Sequence, residues 1–354
     1  MSESPAKYIK IVKDTAHVVA PKALEITSLF YKNMTTQNPE VWKYFNKTNQ
    51  RSGRQPTALA DAVIAYALNV DNLGALAGAV ELMACKHCAL GVQPDDYMIV
   101  HKHLMNAVGE VLKVDATIAG GWSEAVLALA KILIDAEKNM YEAAEKRKGG
   151  WRGKKAFVVD EVVNEATNTV SIYFKPKDGS QSPEYTSGQF ISVAENPSTD
   201  VLMAPRHYTI SCPPSRANGR VRITVKKILR PRADVDDGIM SSYVHRMHVG
   251  DEVFLHPPFG NAGVPFIAGE GSDPGRAAVV YLTAGIGVTT SLPLAALEIE
   301  SRRRQAIFIH GDHDPASHAL AREQAATGCP CLFAYSGSSS AGAVRGDQVT
   351  VEAG

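Results

Sequence analysis

A chain of 354 residues, 45% of them hydrophobic, is long enough for two to three domains and needs no disulfide staples. Its 37 Lys and Arg against 37 Asp and Glu cancel to a formal charge of zero, which leaves no global field for gripping nucleic acid or an anionic membrane. Five cysteines, an odd number scattered over three regions, exclude a secreted disulfide framework and fit a reducing compartment.

The N-terminus MSESPAKYIK has no apolar signal core, and no arginine precedes Arg51, so neither a secretion signal nor a mitochondrial presequence is expected. The longest apolar run, Ala277–Val288, is too short to cross a bilayer. The chain therefore reads as a cytoplasmic protein with no nucleic-acid partner and no membrane span. From there to residue 148 apolar residues recur at three- and four-residue spacing. Helices are expected near 6–20, 22–35, 56–71, 73–90, 95–114 and 122–147, with Pro21, Pro39, Pro56 and Pro94 near their starts, where a missing N–H costs nothing.

Past Gly149-Gly150 the period drops to two. FVVDEVV, TVSIYFKP, GQFISVAE, RHYTIS and RVRITVKK read as closely spaced strands, which predicts a β-barrel over 152–263. A βαβ pattern then opens, with a strand AAVVYLT, a glycine turn, a helix over 289–304 and a strand AIFIH, which predicts a nucleotide-binding α/β sheet over 275–354. The end, SGSSSAGAVRGDQVTVEAG, is polar and small. The expected fold is thus multi-domain: all-α, then antiparallel β-barrel, then a partial α/β sheet.

In the helical part, His87 lies on a stripe with Leu76, Val80 and Met83. It is either a satisfied core residue or a ligand. Gln55 and Leu59 face one interior at i, i+4, Tyr31 shares a face with Leu24, Thr27 and Met34, and Phe45 sits in the preceding connection. One imidazole opposite an aromatic clamp and two hydrogen-bond donors suits an iron porphyrin with one open axial site. Glu137 interrupts the stripe Val126, Leu129, Leu133, Met140, and a carboxylate there is costly unless paired. It is either a surface residue near a frayed end or the acceptor of the His87 N–H, anchored in turn by Tyr97. Cys85 and Cys88 flank Lys86-His87 as packing residues, because covalent haem attachment needs His directly after the second Cys and Ala89 stands there.

In the barrel, Arg206-His207-Tyr208-Thr209 places an arginine and a tyrosine on one strand face with a hydroxyl opposite, which suits a flavin at the rim; Gln189-Phe190 would cover it. Gly238 to Ser242, with Met240 and Ser241, opens a helix whose free N–H groups suit a pyrophosphate. Further on, Gly285-Ile286-Gly287-Val288-Thr289-Thr290 keeps two glycines of a dinucleotide fingerprint, with Thr289 as helix cap. Asp312 is either a ribose contact or an exposed loop residue, and Arg302-Arg303-Arg304 complements a helix C-terminus or meets a 2′-phosphate.

These segments together resemble the flavohaemoglobins, a globin fused to a ferredoxin-reductase-like module. The globin resemblance rests on FYKNM, YFNKTNQRSGRQPTALADAV, ACKHCALGV, DDYMIVHKHL and AEKNMY; the reductase resemblance rests on GGW, SGQF, RHYTIS, DGIMSSYVH, VGDEV, PPFG and AGIGVTT. It implies haem b, FAD and NAD(P)H as cofactors, over domains 1–148 (haem), 152–263 (FAD) and 275–354 (nucleotide). It implies His87 as proximal iron ligand, Tyr31 and Gln55 as distal donors, Tyr97 and Glu137 as proximal relay and Lys86 as the neighbour that tunes the potential. Phe45 and Leu59 would line the haem. Phe190, Arg206, His207, Tyr208, Thr209, Met240 and Ser241 would hold flavin, and Gly285 to Thr290 the dinucleotide. The sequence departs from the family at Val288-Thr289-Thr290 and at Asn261-Ala262-Gly263, and it lacks the later Cys-Gly-Pro turn and final aromatic segment, so the nucleotide sheet is expected to be incomplete. The implied activity is oxidation of nitric oxide to nitrate with dioxygen; the alternatives are a haem or oxygen-binding or sensing protein with a degenerate reductase half, and a cofactor-free scaffold.

Overall fold

The computed structural model describes residues 5–45, 49–50, 52–194, 204–229, 237–260, 278–301, 305–337 and 349–352. The chain divides into two compact units, Met1–Ala143 and Ala144–Gly354.

The first unit is helical: α1 (Pro5–Val19), α2 (Ala23–Gln37), α3 (Arg54–Leu68), α4 (Ala77–Leu90), α5 (Pro94–Leu112) and α6 (Ala116–Lys146). Ile26, Phe30 and Met34 of α2 pack on Leu104, Ala107 and Val108 of α5 and on Trp122 and Ala125 of α6. Burying each large side chain of this kind contributes about 2 kcal/mol. The ends of α4 and α5 are set by local chemistry. Gly91, at φ 82, closes α4 with its N–H 3.0 Å from the Cys88 carbonyl, a backbone conformation that suits glycine. Gln93 and Asp96 form a reciprocal capping box that starts α5, with Pro94 at its first position.

The expected helices all appear, with two differences in extent. The stretch before α4 is a 3-10 turn, Leu73–Leu76. α6 starts at Ala116, because it runs through Gly120-Gly121 instead of beginning after them. Leu24, expected on the Tyr31 face, is 52% exposed. Two segments, Leu73–Leu90 and Ala116–Lys146, have the length and mean hydropathy of a bilayer span. Both lie in the helical bundle, where Val80 and Met83 pack with Leu129 and Leu133.

The second unit begins with six antiparallel strands in the order β4-β3-β6-β1-β2-β5. They are β1 (Lys155–Ala166), β2 (Thr169–Pro176), β3 (Phe190–Ala194), β4 (Arg206–Thr209), β5 (Val221–Lys226) and β6 (Glu252–Phe259). A bridge from Ile210 to Ile223 joins the two end strands, so the sheet closes on itself. Phe157, Ile172, Phe174, Ile191, Val193, Ile223 and Leu255 fill the interior, and Met240 and Val244 of a short helix α7 (Ile239–Val244) plug it. β6 is absent from the period-two reading because it ends in Pro257-Pro258, which have no N–H for a ladder. The fold accommodates them with a register shift between Phe190 and Ser192 on the paired strand β3.

A parallel sheet follows, in the order β10-β9-β8-β7. It comprises β7 (Ala278–Ala284), α8 (Val288–Ser301), β8 (Gln305–Asp312), α9 (Ala321–Ala325), β9 (Cys331–Tyr335) and β10 (Val349–Glu352). β9 is not among the expected strands, and β10 lies within the end that the sequence reading takes as polar and small. Val349 to Glu352 pair with Leu332 to Tyr335, and a ladder of backbone groups needs no apolar side chains. Arg302–Arg304 and Asn261–Gly263 lie outside the described residues.

Candidate active site

The last turn of α4 carries His87, whose Nδ1 is 2.8 Å from Glu137 Oε1 and 2.9 Å from the Tyr97 hydroxyl. Tyr97 also donates to that same carboxylate oxygen. Glu137 is only 3% exposed, so the two donors are what make its burial tolerable. Burial drives the Tyr97 phenol far above its ordinary range, the Glu137 hydrogen bond and charge drive it further, and the hydroxyl remains a donor. With Nδ1 committed to the carboxylate, Nε2 is the ring atom left to take a metal. Tyr141, one turn beyond Glu137 and unnoticed in the sequence, donates to the Val92 carbonyl at 2.9 Å and steadies the end of α4. Lys86 is exposed and stands outside this network. Cys85 and Cys88 are buried and form no disulfide; Cys85 Sγ lies 3.8 Å from Met140 Sδ.

A second cluster joins α2 and α3. Gln55 Nε2 donates to the Tyr31 hydroxyl at 3.3 Å, and Phe45 meets the Tyr31 ring edge-on at 5.5 Å, with Leu59 packed nearby. Thr27 Oγ1 pins α2 to α3 through the Pro56 carbonyl at 2.9 Å. Burial pushes the Tyr31 phenol up to about 12 against a smaller lowering by Gln55. This donor set fits haem: one imidazole with its other nitrogen on a carboxylate, and a protonated phenol for a bound gas.

At the barrel rim Phe190 packs on His207 at 4.9 Å, and Gly260 leaves it room: at φ 97, a Cβ there would lie 2.7 Å from the Phe190 ring. Gln189 bonds the Gly260 carbonyl at 3.1 Å, which joins β3 to the end of β6. His207 Nδ1 is 2.7 Å from Ser192 Oγ. Among the described residues, Arg206 donates to the carbonyls of Ala204 and Pro205, at 2.9 and 3.0 Å, and burial holds its guanidinium below its ordinary range. An anion beside it would relieve that penalty, which fits the diphosphate of a flavin dinucleotide. Burial raises the Tyr208 phenol to about 12. In α7, Met240 is buried and Ser241 Oγ is already committed, accepting from the Ile228 N–H at 3.1 Å and donating to the Gly238 carbonyl at 3.0 Å.

The Gly285–Gly287 turn forms a 3-10 step between β7 and α8, and Val288 is fully buried beneath it. Thr289 does not cap the helix; its hydroxyl donates to the Ile286 carbonyl at 2.8 Å. Thr290 reaches Thr209 of the flavin strand, with their hydroxyl oxygens 3.4 Å apart. Asp312 is neither an exposed loop residue nor open to a ribose: its side chain is 4% exposed and faces Lys226 at 3.5 Å.

Residues 28–133 match the globin family and residues 156–263 match the oxidoreductase FAD-binding domain family. Flavohemoprotein A of Dictyostelium discoideum is 36% identical over 324 residues, covering 89% of this chain and 78% of that protein. The chain belongs to the flavohaemoprotein family. The flavohemoprotein of Bacillus subtilis is 35% identical over 321 residues, with 90% of this chain and 76% of that one covered. A crystal structure of a flavohemoglobin from Malassezia yamatoensis with bound FAD and heme superposes with a TM-score of 0.79 at 25% identity, over 93% of this chain and 84% of that one. This flavohaemoprotein is an oxidoreductase whose globin helices and flavin barrel call for haem and FAD.

Proposed function

We propose that this flavohaemoprotein is a nitric oxide dioxygenase, using dioxygen and electrons from NAD(P)H to convert nitric oxide to nitrate. The observation that carries this reading is Glu137, which accepts from both His87 Nδ1 and Tyr97. Haem, when bound, supplies the iron for dioxygen chemistry, and FAD converts a hydride into single electrons.

The chain's own groups do the rest. His87 donates its Nδ1 proton toward Glu137, which makes Nε2 a stronger electron donor and favours activating oxygen over carrying it. Tyr97 holds the carboxylate in place. Tyr31, protonated at neutral pH, would donate to a gas bound at the haem, and Gln55 would aim its hydroxyl. Arg206 would neutralise the diphosphate of FAD, Phe190 and Tyr208 would hold its ring, and the N–H groups of the Gly285–Gly287 turn would bind the dinucleotide phosphates. The reading assigns residues 1–148 to haem, 152–263 to FAD and 275–354 to the nucleotide. Five thiols without a disulfide support a cytoplasmic setting, and the partners are small molecules met by a monomer.

The test is nitrate formation by the purified protein supplied with NADH or NADPH, dioxygen and nitric oxide. A haem absorption band with nitric-oxide-dependent nitrate is expected. A haem band with no nitrate sinks the dioxygenase and leaves an oxygen-binding or sensing globin. His87→Ala should remove the band.

A further inference from the structure

Thr283 stands at the last step of β7 before the Gly285–Gly287 turn. Its Oγ1 is 2.8 Å from Nδ1 of His310, its register partner on β8. The His310 ring is fully buried and cannot swing. It stacks on His318 at 4.1 Å and 20°, and His318 is clamped by the Tyr335 hydroxyl at 2.9 Å and by Gln324 Oε1 at 3.0 Å. The Asp312 carboxylate beside Nε2 favours the tautomer of neutral His310 with its proton there, in which the Thr283 hydroxyl donates to Nδ1. Nε2 points toward Asp312 Oδ2, 3.7 Å away, and among the described residues neither atom has a hydrogen-bond partner. The other oxygen, Oδ1, accepts the His313 N–H at 2.8 Å and faces Lys226 Nζ at 3.5 Å.

Lys226 ends the barrel strand β5. Two residues on, the Ile228 N–H is held by Ser241 of α7. A continuous chain of contacts therefore runs from the nucleotide turn through Thr283, His310, Asp312 and Lys226 to the flavin barrel. A buried carboxylate with so loose an ion pair adds little stability. The barrel does not need it for attachment, because Arg222 of β5 already grips Glu323 of α9 through both guanidinium nitrogens, one at 3.0 Å. The exposed group at the tip of β8 is His313, not Asp312.

We infer that Asp312 is a positioning residue that, with Lys226 and His310, fixes the nucleotide turn against the flavin barrel. The inference rests on the turn taking a dinucleotide. It makes Asp312 and Lys226 determinants of productive dinucleotide binding without touching the ligand.

The experiment uses the full chain loaded with haem and FAD, as Asp312→Asn, Lys226→Met and the double variant. The Michaelis constant for NADH or NADPH should rise about tenfold in each single variant with kcat changed by less than about twofold, and the double variant should be no worse than either. FAD affinity, read by flavin fluorescence, should stay at the wild-type level. Hydrogen exchange should quicken together at residues 284–288 and 226–228 in both single variants. A rise in the Michaelis constant for Asp312→Asn alone would make Asp312 a ligand contact and overturn the relay. If the wild type oxidises neither NADH nor NADPH, the dinucleotide reading fails, and exchange decides the relay by itself. Quickening confined to one segment, or to one variant, then sinks it. Lys226 is partly exposed and its variant folds without a buried vacancy, so a failure of Asp312→Asn to fold still leaves that arm to decide.

Discussion

The residue that organises the haem side is Glu137, and its neighbours show why substituting it is not a surface change. Glu137→Gln keeps the shape but replaces a charged acceptor with a neutral one, so the push on His87 Nδ1 weakens. Turnover should fall about ten- to a hundredfold with haem still bound. The iron–histidine stretching frequency of the reduced protein should drop as well, a signature that mere loosening of α6 would not produce. Lys86→Ala, outside the network, should leave that frequency unmoved. On the flavin side, Gly260→Ala sets a methyl group 2.7 Å from the Phe190 ring at a backbone φ of 97. It should cost about 1–3 kcal/mol in stability and weaken FAD binding, checked by thermal unfolding and flavin titration. Gly260 belongs to a recognisable PPFG motif, but only the structure says what the missing Cβ makes room for.

At the scale of elements, the start of α5 is where local sequence controls site geometry. Tyr97 follows Asp96, the residue that closes the capping box on the Gln93 N–H at 2.8 Å and also accepts from the Tyr44 hydroxyl at 2.7 Å. Asp96→Ala should cost about 1 kcal/mol and fray the first turn, displacing Tyr97 from Glu137. Circular dichroism and the haem spectrum should both register the loss, whereas Asp95→Ala should change neither. Much of this level was legible in the sequence, because helix periodicity and Pro94 are local signals and Glu137 shows as a break in an apolar stripe; its pairing with His87 and Tyr97, 50 and 40 residues away, was implied by the family resemblance. What stayed hidden depended on partners distant in sequence. β6 ends in two prolines, β10 is only four residues long and takes its ladder from β9, and Asp312 looks like a loop residue until Lys226 arrives from another sheet. The cap expected of Thr289 failed for a related reason: the 3-10 turn ahead of it moved the helix start and turned its hydroxyl back on Ile286.

Across the whole molecule, the second unit buries imidazoles that pay an acid penalty. His256 of β6 is 3% exposed, sits opposite Ser192, and among the described residues has no hydrogen-bond partner on either ring nitrogen; His310 is fully buried. Burial, reinforced by Lys154 and His207, holds His256 down to about 4, and burial with His318, partly offset by Asp312, does the same to His310. Both groups ionise near 6.5 in an unfolded chain. Between those values the unfolded chain binds protons that the folded one refuses, so stability is complete above pH 6.5 and falls as pH drops toward 4. Each imidazole accounts for about 3 kcal/mol over that window, enough to matter against a typical domain stability of roughly 5–15 kcal/mol. His256→Val removes a buried polar ring from an apolar sheet and should flatten the fall in thermal midpoint between pH 6.5 and 4.5, with little loss at pH 7. His310→Phe should flatten it too, but it also releases Thr283, so the midpoint at pH 7 should drop. An unchanged pH slope in His256→Val would mean that the ring is already charged in the folded state, and the buried-neutral assignment would fall.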